Sequence, residues 1–581
     1  MEMTERLNGY PDTNEFAILH GVAALDNQAK VATEGRTCFA FSEKEDDAFA
    51  TVHGQVVHLF AEHGVSPDQY EITQDAIGNL YVTWFGKNRG ETFVSGSHLD
   101  SVLGGGVFDG PAGVNSAYNF LRHLVENNIT PEAGFTMVAW RAEESSPTTG
   151  TTSVGSRVAT QTMSLKELER VPYKFPGAEA ITLKQHIIDT RGEEAWEQIV
   201  QEYQNGNPFF SKMRVTGSNE LHIEQSAVTE RQGRDVGIVV GGIGSAIRQQ
   251  LTQSVDCNKL TVTPENPHKK ITLTFIGEQA HTGGTPPNVA ETVDEARRQG
   301  LPWYRKDALV ASAQFTKMLL SRYGDKIKVL SYRPERATGY TTVPHSQILE
   351  FSFPAEFDTS SILAMVQNAE RDYGVQVQQG SVCQLPDGEH NFIDVVKLHQ
   401  QVALPIEVER LVRTAVNNET ETDESNSVGT LRATVVDFTF APNKEGQCVL
   451  SANLDLRDVN PEGMRALEVE IGRVVDEISQ NVGAPLEQKD VSRKPHAPIN
   501  EGLARELIAT CDHLGVTYAT LPSMPGHDGS ALAAMGTPIC MVFCRHDGIS
   551  HNPAENLDVE YYRVAEKVQH AFMRRRIGVS N

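Results

Sequence analysis

The chain has 581 residues, of which 39% are hydrophobic and 22% charged, as is ordinary for a globular protein. This length exceeds what a single hydrophobic core supports, so at least two domains are expected. The formal net charge of −25 argues against a nucleic-acid partner, because binding to nucleic acid depends on clustered Lys and Arg.

Hydropathy and cysteine usage bear on the cellular compartment. No apolar run is long enough to span a membrane, and residues 1–16 lack the basic start and apolar core of a secretory signal. The seven cysteines are scattered and include no CxxC pair. These features predict reduced thiols in a cytoplasmic protein without a membrane partner.

The first part of the chain alternates predicted helices and strands. Apolar spacing predicts helices over residues 44–63 and 112–125, and strands over 80–84, 92–97 and 135–140. Such alternation predicts an α/β sheet, and α/β sheets place their active sites at the carboxyl ends of the strands.

The region from 251 to 487 has a different pattern, which predicts a smaller α+β domain inserted into a catalytic domain formed by 1–250 and 488–581. Its predicted strands are 270–275, 346–353 and 448–456, and its predicted helices are 307–320 and 461–478. The strand and helix at 346–372 recur at 447–478, which suggests a partial internal duplication.

Residues of metal-ligand type follow several of the predicted strands. Imidazole and carboxylate groups together suit zinc, manganese or a similar divalent ion. Two such ions can share one carboxylate and hold a hydroxide between them. Asp109, between glycine-rich segments, is the predicted bridging ligand, with His98 and His222 completing one ion and Glu144 and His551 the other.

Two further carboxylates support this predicted centre. Glu143 adjoins a ligand and would act as the general base toward the attacking water. Asp100, two residues beyond His98, would orient that ligand. Each of these residues taken singly is more often structural than catalytic, and the prediction rests on their joint occurrence at strand ends and loops.

Six motifs together resemble the amidase, hydantoinase and carbamoylase branch of the M20 metallopeptidase clan. That branch includes N-carbamoyl-L-amino acid hydrolase, β-ureidopropionase and allantoate amidohydrolase. The motifs are GSHLDSVLGGGVFDG (96–110), EE (143–144), ELHIEQS (220–226), GEQAHTGGTPP (277–287), GHDG (526–529) and GISHNPAE (548–555). Peptidases of the wider clan usually carry an acidic ligand where this chain has His222, so this histidine points to the ureido-hydrolysing branch.

The resemblance implies a homodimer with a lid or dimerisation domain inserted in the catalytic domain. His281 would then reach the active site of a neighbouring subunit and stabilise the tetrahedral oxyanion. The resemblance also indicates four substrate-binding residues: Gln225, His527, and the pair Asn443 and Arg457, which would hold a carboxylate. The alternative for Arg457 is a surface ion pair with Asp458 or Glu462.

The chain departs from the family pattern by insertions at about 288–304 and 355–445, and by SSPTTG after the paired glutamates. The expected activity is metal-dependent hydrolysis of a linear C–N bond in an N-carbamoyl amino acid or related small carboxylate. Two divalent ions are expected, with Zn²⁺ fitting the ligands and Mn²⁺, Co²⁺ or Ni²⁺ as alternatives. An N-acyl amino acid deacylase or dipeptidase, or a non-catalytic binding protein on this fold, remain as other functions.

Overall fold

The computed structural model describes residues 14–25, 35–144, 148–175, 179–285, 287–301, 303–335, 341–420 (backbone alone at 416–420), 431–546 and 549–579. Most of the stretch tested for a secretory signal, and parts of the motifs at 145–150, 277–287 and 548–555, lie outside these residues. The chain forms two compact units, Met1–Gly244 with His496–Asn581 and Ser245–Pro495. The boundaries predicted from the sequence, at 250/251 and 487/488, lie close to these.

The strands and helices are numbered in chain order. The strands are β1 Tyr70–Gln74, β2 Leu80–Trp84, β3 Asn88–His98, β4 Ala133–Trp140, β5 Pro172–Tyr173, β6 Ile181–Thr182, β7 Arg214–Ile223, β8 Val236–Ile243, β9 Ser245–Asp256, β10 Asn258–Val262, β11 His268–Ile276, β12 Lys328–Arg333, β13 Ser346–Pro354, β14 Gln376–Gln379, β15 Cys383–Gln384, β16 Gly388–Phe392, β17 Arg432–Pro442, β18 Gln447–Asp458, β19 Glu487–Lys494, β20 Tyr518–Ser523 and β21 Ile539–Cys544. The α-helices are α1 Ala17–Ala24, α2 Glu43–Glu62, α3 Pro111–Glu126, α4 Val154–Ala159, α5 Leu165–Leu168, α6 Leu183–Arg191, α7 Glu193–Asn205, α8 Val228–Arg231, α9 Val293–Gln299, α10 Ala308–Tyr323, α11 Ser360–Tyr373, α12 Val395–Gln401, α13 Ala403–Thr420, α14 Pro461–Val482, α15 Glu501–Leu514, α16 Gly529–Ala534 and α17 Val559–Arg576.

The helices begin where the sequence supplies capping residues. Ser42 accepts a hydrogen bond from the Glu45 backbone N–H at the start of α2, and acidic residues fill the first turn. Helix α3 begins with Pro111, whose fixed φ suits the first helical position. Both helices occur where the periodicity of the sequence predicts them.

The first unit contains an eight-stranded mixed sheet with the order β1-β2-β4-β3-β7-β21-β8-β20. Strands β4, β3, β7 and β21 are parallel to their neighbours in this central group. The register pairs His98 with Trp140 and Phe543 with His222, so the carboxyl ends of these strands lie at one edge of the sheet. This confirms the α/β class predicted from the alternating pattern.

The core of the first unit forms where helices cover the sheet. Helix α3 is buried along most of its length, and Phe120 packs edge to face on Phe135 of β4. On the other side of the strands, Tyr81 stacks on Phe209 with 4.5 Å between ring centroids. Packing on both faces explains why β2, the second half of β3 and nearly all of β4 are buried, and why β2 and β4 are mostly apolar.

The second unit contains a nine-stranded sheet, in which β14-β11-β13-β12-β17-β18-β9-β19 follow one another and β15 pairs with β11. The strands in this path are antiparallel to their neighbours. The helices of the unit pack against the sheet and bury a separate hydrophobic core. The unit is therefore an α+β layer, in agreement with the sequence pattern.

The cysteines correct one expectation. Cys257 and Cys448 form a disulfide, although the sequence predicts reduced thiols. The two are far apart in sequence, and the pairing of β9 with β18 brings them together, which spacing alone cannot reveal. Among the described cysteines that are not bonded, Cys383 is exposed and Cys38, Cys511, Cys540 and Cys544 are buried.

Within the described part of the chain, none of the helices combines the length and the apolar character that crossing a membrane requires.

The Glu202 carboxyl group on α7 contacts a turn of the first unit and has a shifted pKa. The Glu202 Oε1 atom on α7 accepts a hydrogen bond of 2.8 Å from the Ala76 backbone N–H. Burial, and then the nearby Asp75 carboxylate, raise the pKa of Glu202 to about 7. Because the folded state binds this proton more tightly than the unfolded chain, the resulting stability is lost as the pH rises through about 7.

Replacing Glu202 with Gln should therefore raise the Tm more at about pH 8 than at about pH 5. Glutamine is neutral at both pH values and keeps an oxygen acceptor for the Ala76 N–H. Thermal unfolding followed by circular dichroism at each pH measures the effect. The matched control is Glu197→Gln on the exposed side of the same helix. Equal Tm changes for E202Q at the two pH values would contradict the assignment.

Candidate metal centre

The carboxyl edge of the first sheet gathers the predicted ligands. His98 is the last residue of β3 and His222 lies near the end of β7. Glu144 follows β4, and His551 follows β21, with a backbone φ of 60°. Asp109 lies in the loop before α3. All of these side chains are buried.

Asp109 stands between the other four side chains. Its Oδ1 atom lies 3.1 Å from His222 Nε2 and 3.4 Å from His98 Nε2, and its Oδ2 atom lies 3.7 Å from His551 Nε2. His551 Nε2 is in turn 2.5 Å from Glu144 Oε1. The side chains form two groups with potential ligand atoms within 4.8 Å of one another, His98–Asp109–His222 and Asp109–Glu144–His551.

This donor set fits two divalent ions that share Asp109. Three imidazoles and two carboxylates, buried together, suit zinc, and nitrogen and oxygen donors also bind manganese, cobalt or nickel. Each oxygen of Asp109 faces a different group, as a bridging carboxylate requires. The structure thus brings together the five residues that the sequence grouped as candidate ligands.

Backbone geometry places the Asp109 loop. Gly110 has a φ of +83°, and a Cβ atom there would collide with the imidazole ring of His98. The Glu555 Oε1 atom accepts hydrogen bonds from the Phe108 N–H at 2.9 Å and the Asp109 N–H at 3.3 Å. Glu555 belongs to the GISHNPAE motif, yet its role was not predicted because nothing in the sequence shows which backbone its carboxylate reaches.

Asp100 connects the two sides of the centre. Its Oδ1 accepts a hydrogen bond of 3.0 Å from the Glu143 N–H, and its Oδ2 accepts one of 2.8 Å from the Glu144 N–H. Oδ1 also lies 3.4 Å from His98 Nδ1. Asp100 therefore contacts a ligand ring, as expected, and in addition fixes the backbone of the paired glutamates.

A buried ion pair between Glu45 and Arg141 supports the backbone that follows β4. It was not predicted from the sequence. The Glu45 Oε1 atom accepts a hydrogen bond of 2.8 Å from the Ala142 N–H, where the backbone has a φ of 57°. The Glu45 Oε2 atom lies 2.9 Å from Arg141 Nη1. Glu45 is hidden within the amphipathic pattern of α2, where a single charged residue gives no signal.

The electrostatics of the centre favour a charged Asp109. Burial alone would raise its pKa, but the facing His222 and His98 imidazoles hold the pKa of Asp109 well below its ordinary value. Burial lowers the pKa of His222, whereas Asp109 and Glu220 raise it, and the result is about 9. The imidazole must lose this proton when it binds a metal, so metal binding is coupled to proton release.

Glu143 lies beside the ligands with its carboxylate held by Ser153. The Ser153 hydroxyl donates a hydrogen bond of 3.0 Å to Glu143 Oε1. A second acid, Asp528 of the GHDG motif, accepts a 2.5 Å hydrogen bond from Ser156. Burial, and then the Glu143 and Glu220 carboxylates, raise the pKa of Asp528 well above its ordinary value. The sequence reasoning drew only His527 from this motif.

Two of the predicted substrate-binding residues contact the ligands themselves. The Gln225 amide donates hydrogen bonds to Asp109 Oδ2 at 2.6 Å and to Ser550 Oγ at 3.1 Å. His527 packs edge to face on His222, with 4.6 Å between ring centroids. Their roles toward a substrate stay predictions.

His281 lies in the second unit, where backbone contacts select its tautomer. Its Nδ1 atom accepts hydrogen bonds from the Gly283 N–H at 3.0 Å and the Gly284 N–H at 2.7 Å. A neutral imidazole with an accepting Nδ1 carries its proton on Nε2. His281 can thus offer an N–H donor, the property that oxyanion stabilisation requires.

The structure does not bring the predicted pair, Asn443 and Arg457, together within one chain. Asn443 lies in the exposed turn between β17 and β18, where its Oδ1 accepts the Glu445 and Gln447 N–H groups. Arg457 is buried at the other end of β18, with its Nε 2.8 Å from Asp455 Oδ2. At about 3.4 Å per residue, the ends of this hairpin are separated by roughly 34 Å, so the two side chains cannot hold one carboxylate.

Arg457 is also not the exposed residue that the alternative assumed. Only 2% of its side chain is accessible, and it contacts Asp455 rather than Glu462. Both residues have the expected chemistry, but Asn443 stays in the turn while β18 carries Arg457 to the far end of the hairpin.

Comparison with known proteins identifies the family. The model of peptidase family M20/M25/M40 matches residues 93–575. The chain belongs to this family. Together with the relatives described next, the match confirms the resemblance drawn from the motifs and the prediction of a metal-dependent amidohydrolase.

Individual relatives are distant. An uncharacterised hydrolase of Haemophilus influenzae is 23% identical over 90% of this chain and 89% of its own length. An N-carbamoyl-L-amino acid amidohydrolase of Geobacillus stearothermophilus is 34% identical, over 30% of this chain and 39% of that protein. An allantoate amidohydrolase of Bacillus subtilis is 28% identical, over 32% of this chain and 42% of that protein.

The solved structures agree on the fold. An amidase of the hydantoinase/carbamoylase family from Burkholderia vietnamiensis superposes with a TM-score of 0.55 at 17% identity, covering 97% of both chains. The related amidase from Burkholderia multivorans gives a TM-score of 0.53 at 17% identity, covering 98% of both chains. At these identities the likeness concerns the fold alone.

Replacing Asp100 with Ala should weaken metal binding by about 10- to 100-fold, because it removes the acceptor that orients His98 and the Glu143–Glu144 backbone. Equilibrium dialysis against Zn²⁺, followed by elemental analysis, measures the change. Asp47→Ala, on the exposed face of α2, is the matched control. Unchanged affinity in D100A would show that Asp100 has no part in positioning the ligands.

Proposed function

We propose that the enzyme hydrolyses the linear C–N bond of an N-carbamoyl amino acid or a related small ureido carboxylate. The observation that carries the proposal is the position of His222, with its Nε2 atom 3.1 Å from Asp109 Oδ1. A histidine here, rather than the acidic ligand usual among peptidases of the clan, marks the ureido-hydrolysing branch. The names of the Geobacillus and Bacillus relatives support the same substrate class.

Five side chains would hold the metal ions, with Asp109 shared, His98 and His222 on one side, and Glu144 and His551 on the other. Bound ions would acidify a water molecule and polarise the substrate carbonyl. Zn²⁺ suits this donor set best among the ions considered.

The residues of the chain supply the proton transfers. Glu143 accepts a proton from the attacking water, and Ser153 and the Asp100-bound backbone keep its carboxylate in place. After the carbonyl carbon has gained the hydroxyl group, Glu143 returns the proton to the leaving nitrogen. A carbamoyl group and one water then yield the amine, ammonia and carbon dioxide. His281, with its Nε2 proton, would stabilise the oxyanion.

Replacing Glu143 with Gln should lower kcat by about 10²- to 10⁴-fold, because the amide cannot accept the proton of water. Metal content should stay at the wild-type level, since Glu143 is not among the ligands. Steady-state kinetics and elemental analysis of the same preparation measure both quantities. Glu132→Gln, at the exposed position just before β4, serves as the control. A near-wild-type rate in E143Q would contradict the mechanism.

The substrate class is tested by ammonia release from a panel of N-carbamoyl amino acids, β-ureidopropionate and allantoate, with Zn²⁺, Mn²⁺ and Co²⁺ supplied separately. Metal-dependent release of ammonia together with the amine is expected. Release of the amine without ammonia from N-acyl amino acids or dipeptides would replace the proposal by a deacylase or dipeptidase on the same centre.

A further inference from the structure

The inserted unit consists of two copies of one arrangement of strands and helices. The first copy runs β11, α10, β12, β13, α11, β14, and the second runs β9, α13, β17, β18, α14, β19. Each is therefore strand, helix, strand, strand, helix, strand, a recurrent motif in α+β proteins. In the chain, the first copy lies between the first strand and the first helix of the second copy.

The sheet order repeats the duplication. Counted outward from the middle of the sheet, the first copy has the order β12, β13, β11, β14, and the second has β17, β18, β9, β19. In both copies, the second strand in chain order lies nearest the middle of the sheet. The third, the first and the fourth strands follow it outward. Since β12 and β17 are antiparallel, the copies are related by an approximate twofold rotation about their contact. The partial duplication suspected from the sequence is thus complete in topology.

The contact between the copies, here called the seam, is buried and specific. Tyr332 of β12 pairs with Phe440 of β17 in the register, and its ring packs edge to face on Phe438 at 5.6 Å. The Gln347 amide of β13 donates a hydrogen bond of 2.9 Å to the Phe438 carbonyl. These residues are fully buried. Each copy therefore binds the other through the strand that lies nearest the middle of the sheet, β12 in the first copy and β17 in the second.

The two copies have diverged in the polar residues that they carry. The loop after the first strand contains His281 in the first copy, whereas the second copy continues there with Cys257. The third strand ends with Arg457–Asp458 in the second copy and with Pro354 in the first. The histidine and the arginine thus belong to different copies.

The seam brings these divergent parts together. The Thr282 hydroxyl donates a hydrogen bond of 2.6 Å to Asp455 Oδ2, and a Cβ atom on Gly283 would lie 2.7 Å from the Arg457 side chain. Arg305 donates to Thr434 Oγ1 at 2.8 Å and, on the other side, to the Thr282 carbonyl at 2.6 Å. In an enzyme with a single copy in each chain, such contacts would need a second subunit.

We propose that the inserted unit is a fused pair whose seam takes the place of a contact between two subunits, so that the protein exists in solution as a single chain. If β12 or β17 had an unpaired edge, that edge would pair with the same edge of another molecule. Here the two strands pair with each other instead. The outer edges do not invite pairing, because β14 is short and β19 (EQKDVSRK) is charged and mostly exposed. The homodimer implied by the resemblance is therefore unnecessary, and a His281 that stabilises the oxyanion would do so for its own chain rather than for a neighbouring subunit.

The first experiment is sedimentation velocity of the full-length, metal-loaded protein from nanomolar to tens of micromolar concentration. The expected result is one species at the mass of one chain, 63.8 kDa, throughout. A species of twice this mass, or a mass that rises with concentration, would overturn the proposal. The mass measurement does not depend on catalytic activity. It therefore tests the oligomeric state even if the proposed substrate class is wrong.

The second experiment co-expresses two full-length copies with different affinity tags. Capture of one tag should leave the other copy in the unbound fraction, as expected for a single chain. Recovery of both copies in similar amounts would overturn the proposal. A homodimeric enzyme that carries the same two tags gives the positive control for subunit pairing.

Discussion

The structure depends on one buried carboxylate, Asp109, placed between three imidazoles. A buried charge is costly unless opposite charges or metal ions surround it, and here His98, His222 and His551 all lie within 3.7 Å of its oxygens. In this arrangement the charges of the acids and imidazoles offset one another. The loop glycines, the Asp100 contacts and the Glu555 hydrogen bonds all serve to hold that arrangement.

The topology of the first sheet explains how distant residues reach Asp109. Parallel strands end at the same edge, so ligands that follow β3, β4, β7 and β21 meet although more than half of the chain separates them. The insertion of the second unit between β8 and the return of the chain leaves this edge intact. Extra sequence is thus accommodated without changing the ligand set.

The second unit shows how a duplication can change the roles of equivalent residues. The two copies keep the same topology and the same buried seam, yet one carries the histidine loop and the other the arginine. Once the copies share one chain, each can lose what the other supplies.

The sequence by itself determined the family, the α/β class and several of the helices and strands, and it grouped the candidate ligands that the structure brings together. These follow from apolar periodicity and from residue types whose chemistry is local to a motif. Only the tertiary structure decided the Asp100 contacts to the Glu143 and Glu144 backbone, the Cys257–Cys448 bond, the positions of Asn443 and Arg457, and the seam. Those depend on strand register and on contacts between residues from different elements of the chain, which no local pattern encodes.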